Sequence, residues 1–207
     1  MQYGDAQLYA CPRCGALVKW RGVKSGNTFG SKLYSDGKRE SPMLPQISDL
    51  VKCESCSAFY WLREQDPKDP MMVWEQVGSA RAVKPISIEE LGEAIDQDIA
   101  RDRYRELRLR RMFLYALNDR TRTSGLLPYG SGVDEHAWWR NVEALLALLD
   151  DNDTNERFLK AELLRYKGDF DGCMELLSGI SEPKFDRIKE AFKEACAAES
   201  RMVFKLP

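Results

Sequence analysis

Apolar and polar positions divide the chain into two regions with different periods. Through the first third the apolar runs are short and no helical repeat is sustained. Leu17-Val18-Lys19-Trp20 and Ala58-Phe59-Tyr60-Trp61-Leu62 are brief, aromatic and β-branched, which predicts strands. Residues 22–45, between them, are rich in Gly, Ser and Lys. Gly26-Asn27 and Asp36-Gly37 are turn dipeptides, and Asp36-Gly37 flanked by Leu33-Tyr34 and Lys38 predicts a hairpin. Asp66-Pro67-Lys68-Asp69-Pro70 then interrupts regular structure, because proline removes an amide donor and restricts the residue before it. Trp74 and Val77 are apolar enough to pack the following connector onto its neighbours.

After Pro85 the pattern becomes helical. Ser87-Ile88-Glu89-Glu90 has the form of a capping box, followed by Leu91, Ile95 and Ile99 at four-residue spacing. Leu109, Phe113 and Leu117 continue an apolar face to Asn118, and residues 121–132 read as a Gly-containing loop. Asp134 is placed to cap a helix that turns Trp138, Val142, Leu145, Leu146 and Leu149 inward. Asp153-Thr154-Asn155-Glu156 predicts a second box, opening a helix with Leu159, Leu163 and Tyr166 on one face and Gly168 at its left-handed end. A short helix from Asp169 to Ser178 follows, and Pro183 suits the first turn of a last one carrying Phe185, Ile188, Phe192 and Ala195. The expectation is an α+β chain: a β-rich domain over residues 1–66, a connector over 67–85 and an all-α domain of helical hairpins over 86–207.

The cysteines change the picture of the first domain. Four of the six form two Cys-x-x-Cys pairs, Cys11-Pro12-Arg13-Cys14-Gly15 and Cys53-Glu54-Ser55-Cys56-Ser57. Two intervening residues let both thiolates of a pair face one point, and Gly15 permits the tight turn such a knuckle makes. Two knuckles complete a tetrahedral four-thiolate shell suited to one Zn²⁺, with iron as the other metal such thiolates hold. The 38 residues between Cys14 and Cys53 exceed the usual spacing of about 15–20. That length costs little, since doubling a loop adds only about 0.6 kcal/mol of closure entropy. A closed shell leaves no position for water, so the ion is expected to be structural.

The first third resembles zinc ribbons, in which each knuckle sits on a hairpin and is followed by a strand. The resemblance covers residues 8–63, departs from the family in its long insert, and implies metal binding rather than an activity. Residues 163–177, Leu-Leu-Arg-Tyr-Lys-Gly-Asp-Phe-Asp-Gly-Cys-Met-Glu-Leu-Leu, resemble the middle of a tetratricopeptide repeat. Gly168, Phe170 and Cys173 match that family's helix end, following aromatic and small interhelical residue, with Cys173 in place of the usual alanine. The combination is similar to a bacterial family that joins such a ribbon to such helices.

Charge and motif content limit the function. The formal net charge is −2. Residues 1–63 carry nine Lys and Arg against five Asp and Glu, whereas residues 64–207 carry 22 against 28. The densest run, Arg101, Arg103, Arg105, Arg108, Arg110 and Arg111, has Asp98, Asp102 and Glu106 at salt-bridging offsets and reads as a solvated or internally paired face, with a phosphate or acidic-partner patch as the alternative. No Walker, dinucleotide, nucleophile-elbow or His-Glu-x-x-His motif occurs, and the single histidine, His136, has no sequence partner. The start, Met1-Gln2-Tyr3-Gly4-Asp5, lacks a secretory leader, and no apolar run is long enough to span a membrane. These features predict a cytoplasmic, non-enzymatic protein that binds zinc through Cys11, Cys14, Cys53 and Cys56 and recognises a protein partner. The polar insert, through Asn27, Lys32, Asp36, Lys38 and Arg39, is the expected partner site. The competing expectation is that the insert docks on the helical part through Phe29, Leu33 and Met43. A second function reading, nucleic-acid binding, draws on Lys19, Trp20, Arg21, Lys24, Lys32, Tyr34, Lys38 and Arg39.

Overall fold

The structure is a computed structural model that describes residues 1–45, 47–71, 78, 80–129 and 132–207. Trp74 and Val77 lie outside the described residues. Strands β1 (Gln2–Tyr3), β2 (Gln7–Ala10), β3 (Leu17–Trp20), β4 (Val23–Ser25), β5 (Lys32–Leu33), β6 (Arg39–Glu40), β7 (Leu50–Lys52), β8 (Phe59–Trp61) and β9 (Arg81–Ala82) precede the helices. Six helices follow among the described residues: α1 (Ile88–Asp96), α2 (Arg103–Ser124), α3 (Gly132–Leu148), α4 (Thr154–Lys167), α5 (Phe170–Ser178) and α6 (Asp186–Ala197). The fold class is α+β, as the hydrophobic pattern predicts.

The chain forms two compact units. One contains residues 1–31 and 41–99, the other residues 32–40 and 100–207. This division differs from the boundaries read off the sequence in two respects. The hairpin β5–β6 belongs with the helices, and helix α1 belongs with the β-rich unit.

In the β-rich unit, β2 pairs antiparallel with β3 and β7 with β8, while β1 pairs with β4. β9 lies parallel beside β3. Tyr9, Cys11, Val51, Cys53, Tyr60 and Leu62 form the buried core, with Val18 and Trp20 packed against it. Helix α1 starts at the expected capping box. The Ser87 hydroxyl accepts from the Glu90 amide at 3.2 Å and the Glu90 carboxylate accepts from the Ser87 amide at 3.0 Å. Its buried face carries Leu91 and Ala94, and Lys52 of β7 reaches Glu93 at 2.5 Å. These contacts are why α1 groups with the strands.

In the helical unit, α2 packs on α3, α4 on α5 and α5 on α6. Trp138 is buried against Tyr166 with ring centroids 5.3 Å apart, and Cys173 is buried beside Cys196 with sulfurs 3.7 Å apart. α2 runs past the expected stop at Asn118 and ends where Gly125, at φ +69°, supplies a left-handed cap. Asp153 caps α4 through the Glu156 amide. Glu156 does not close the box, because its carboxylate accepts from the Asp150 amide and pairs with Arg103. Asp134 lies within the first turn of α3 and pairs with Arg120 instead of capping, and Pro183 opens a 3₁₀ turn ahead of α6. The arginine run is largely internally paired: Arg105 with Asp102, Arg110 with Glu106, and Arg111 with the Tyr115 hydroxyl.

The β5–β6 hairpin forms as its Asp-Gly predicts, with Gly37 at φ +83°, and it is built into the helical core. Leu33 packs on the cluster of Ala161, Cys173, Leu177 and Phe192. The Leu33 carbonyl accepts from the Leu206 amide at 2.8 Å, and the Ser35 amide donates to the Phe204 carbonyl at 2.9 Å. The Ser35 hydroxyl donates to Glu162 at 2.6 Å, and Glu162 is in turn held by Arg165 at 2.7 Å, both side chains being fully buried. Asp36 is fully buried too. It pairs with Arg122 and accepts from the Asn118 amide group at 2.7 Å. Burial of a charge is sustained only by this pairing. Asp36→Ala, which leaves Arg122 buried without its partner, should cost about 3–5 kcal/mol in urea unfolding followed by helical circular dichroism. Adding Arg122→Met should recover much of that loss. A single-variant loss below about 1 kcal/mol would show that the pair does not anchor the hairpin.

Candidate metal centre

The two knuckles are copies of one local structure displaced by 42 residues. Ala10 pairs with Leu17, Tyr9 with Val18 and Leu8 with Lys19; 42 residues on, Lys52 pairs with Phe59, Val51 with Tyr60 and Leu50 with Trp61. In each hairpin the first cysteine donates its amide to a carbonyl five residues on, Cys11 to Ala16 and Cys53 to Ala58, both at 2.9 Å. Each first cysteine carbonyl also accepts from the amide four residues on, Gly15 at 2.9 Å and Ser57 at 2.8 Å. That fourth residue adopts a left-handed conformation in both copies, φ +76° at Gly15 and +58° at Ser57. Glycine does so freely, whereas serine does so under mild strain. The shared sequence is Leu-x-x-Cys-x-x-Cys-x-Ala, at Leu8 to Ala16 and Leu50 to Ala58. Comparison of the chain with itself at this offset reveals the repeat. The knuckles alone do not, because within residues 8–16 and 50–58 only Leu8/Leu50 and Ala16/Ala58 match beyond the cysteines.

The hairpins bring all four sulfurs within 4.8 Å of one another. Cys11 Sγ lies 3.7 Å from Cys56 Sγ and Cys14 Sγ lies 3.6 Å from Cys53 Sγ. A tetrahedral ion with metal–sulfur bonds of about 2.3 Å requires sulfurs about 3.8 Å apart, so the spacing and the donor set fit a single four-coordinate metal. Cys11 and Cys53 are buried, Cys56 is half-buried and Cys14 is exposed. Burial pushes the Cys11 thiol up to about 12. Burial acts in the same direction on Cys53, but hydrogen bonds from the Cys56 and Ser55 amides and from the Cys14 and Cys11 thiols together bring that thiol down to about 7. Metal uptake by the set must therefore release protons. Trp20 closes the site's flank, its Nε1 donating to the Ser48 carbonyl at 3.3 Å and its ring meeting Tyr9 edge-on. At the second knuckle, Glu54 is held by Arg81 at 2.7 Å and by Lys84, which ties the end of the connector to the centre.

The proposed partner residues are divided between the two units. Asn27 is exposed in the β-rich unit, and its Oδ1 accepts from the Phe29 amide at 3.0 Å. Lys32 and Arg39 are exposed on the hairpin of the helical unit. Asp36 is buried in that unit, and Lys38 is engaged by Asp119 at 2.5 Å. Asp36 is therefore a core residue, with no exposed surface of its own in this structure. Of the apolar residues expected to dock the insert, Leu33 does so, whereas Phe29 stays 87% exposed and Met43 38%. Tyr34, from the nucleic-acid set, is buried under Arg122. His136 is exposed. No helix among the described residues is long and apolar enough to cross a membrane. No family model, curated protein or solved structure matches the chain.

Because the β-rich unit has its own core around the cysteines, Cys53→Ser should unfold that unit while most helical circular dichroism persists. Loss of all helical signal would show one cooperative unit. In metal-stripped protein a maleimide should label Cys14 well before Cys173, which has no exposed surface. Equal labelling rates would contradict this burial order.

Proposed function

We propose that the protein is a non-enzymatic zinc-binding adaptor, with one zinc on Cys11, Cys14, Cys53 and Cys56 as a structural ion and the helical unit as a protein-binding scaffold. The observation that carries this reading is the convergence of four sulfurs from two matching hairpins. Four thiolates fill a tetrahedral ion's coordination, leaving no position for a reacting water. Such an ion holds together strands of only two to four residues, too short to be stable by pairing alone.

Two further features support a binding role. The remaining thiols, Cys173 and Cys196, are buried, and burial raises both, which keeps them protonated and unreactive. α4 ends at Gly168 with φ +81°, α5 begins at Phe170, and Cys173 fills the space against α6, in keeping with the tetratricopeptide-like reading. Reduced thiols at a zinc centre suit a cytoplasmic setting. Lys32 and Arg39 are the exposed residues of the hairpin that offer the helical unit's partner a contact.

Elemental analysis of freshly purified, unchelated protein should give one zinc per chain. A visible thiolate-to-iron absorption band in place of zinc would assign the centre to iron. Replacing Lys32 and Arg39 together by alanine should leave metal content and thermal stability unchanged while weakening capture of a protein from cells of the source organism. Unchanged capture of every such protein would remove the hairpin from the partner site.

A further inference from the structure

The β-rich unit carries its positive charge unevenly. From residue 6 to residue 31 there are four cations, Arg13, Lys19, Arg21 and Lys24, and no carboxylate. None of the four has an ion pair among the described residues. Later in the same unit Lys52 pairs with Glu93, Arg63 with Asp49, and both Arg81 and Lys84 with Glu54. The unit as a whole holds nine cations against twelve carboxylates, so this cationic stretch is local and does not reflect a basic domain.

Two exposed aromatic side chains accompany these charges. Tyr3 of β1 is 42% exposed, and Arg21 lies over its ring with Cζ 5.7 Å from the centroid. Arg21 Nε donates to the Gly4 carbonyl at 2.7 Å, which fixes the guanidinium beside the ribbon. β4, paired with β1, carries Lys24 and leads into the turn that displays Phe29. Among the described residues Phe29 is the most exposed of the large apolar side chains, at 87%. Its turn is held at several points. Asn27 Oδ1 takes the Phe29 amide at 3.0 Å, the Ser31 amide reaches the Thr28 carbonyl at 3.0 Å, and the Ser31 and Ser41 hydroxyls meet at 2.7 Å. Gly26 lies so close to the Met43 carbonyl that a side chain there would collide with it. An aromatic ring held in water on a braced turn has already given up the backbone entropy that binding would otherwise cost.

We propose that the β1–β4 ribbon and its following turn bind single-stranded nucleic acid, with Tyr3 and Phe29 stacking on bases and Arg21 and Lys24 meeting phosphates. Stacking on flat rings combined with unpaired cations is the chemistry that holds single strands without reading their sequence. An acidic peptide would satisfy the cations but would leave the exposed ring faces without a matching planar group.

The test uses the zinc-loaded full chain and fluorescein-labelled oligothymidylate and oligouridylate, each roughly twenty nucleotides long, in fluorescence anisotropy at low salt. At least one oligonucleotide should bind. Phe29→Ala should weaken binding about tenfold, and Tyr3→Ala should act in the same direction. Replacing Arg21 and Lys24 together by alanine should flatten the dependence of log affinity on log salt by about 1.4, two single-strand phosphate contacts' worth. Metal content and melting temperature should be unchanged in all of these variants. Absence of binding to both oligonucleotides overturns the proposal, as does a Phe29→Ala protein that binds as tightly as wild type. So does equal displacement by polyglutamate, which would assign the surface to an acidic protein.

Discussion

Burial of Asp36 against Arg122 is the constraint on which the arrangement of this chain depends. Neither side chain has appreciable contact with water, and removing either would leave the other charge in an apolar interior. Asn118 satisfies Asp36 further and also reaches the Tyr166 hydroxyl, while Arg122 extends to Asp119. Beside this group, Ser35 joins Glu162 and Arg165 to the last strand-like segment at Phe204, and Arg165 donates to the Met202 carbonyl. A hairpin of nine residues, Lys32 to Glu40, is thereby fixed among helices more than 80 residues away in sequence. Buried ion pairs give little net stability relative to apolar replacements, but they tolerate few alternative pairings. Their role here is to specify which segment fills the helical core.

That specification shapes the metal centre by connectivity. The first knuckle precedes the hairpin and the second follows it, so the chain leaves the β-rich unit after residue 31 and re-enters it at residue 41. The four-sulfur set closes around a segment that belongs to the other core. Within the β-rich unit the two matching hairpins need no long-range polar specification, because identical registers and identical knuckle hydrogen bonds present their sulfurs in the same way. Strands this short depend on the core under the cysteines and on the ion the sulfurs would hold.

The same connectivity redistributes charge. Taken as a linear stretch, residues 1–63 are basic. Taken as folded units, the β-rich part holds nine cations and twelve carboxylates, and the helical part holds 22 and 21. Lys32, Lys38 and Arg39 belong to the helical unit, and Lys38 is already neutralised by Asp119. Among the described residues, four of the five cations of the β-rich unit without an ion pair, Arg13, Lys19, Arg21 and Lys24, lie early in its chain, and Arg21 and Lys24 are beside Tyr3 and the turn of Phe29. The two units therefore differ in surface chemistry, with an aromatic and cationic ribbon on one and a docked hairpin with two exposed basic residues on the other.

Local and periodic features were readable from the order of the residues. The four cysteines, the strands beside them, the Ser87 capping box, the left-handed Gly168 and the inward faces of Trp138, Leu163 and Phe192 are all legible, because each depends on residues within a few positions. The 42-residue repeat was present in the sequence as well, but its Leu and Ala matches are too sparse to stand out without the strand registers. Tertiary structure alone decided the rest. An aspartate in an Asp-Gly turn reads as solvent-facing, and nothing near Asp36 announces an arginine 86 positions later. Phe29 reads as a docking residue by its hydrophobicity, yet the turn that holds it leaves it exposed to water. Glu156 fits a capping box by spacing, but Arg103 and the Asp150 amide compete for its carboxylate and win. For Asp36 and Glu156 the outcome was set by a partner distant in sequence, Arg122 and Arg103, and pairwise chemistry between distant residues has no local period to read.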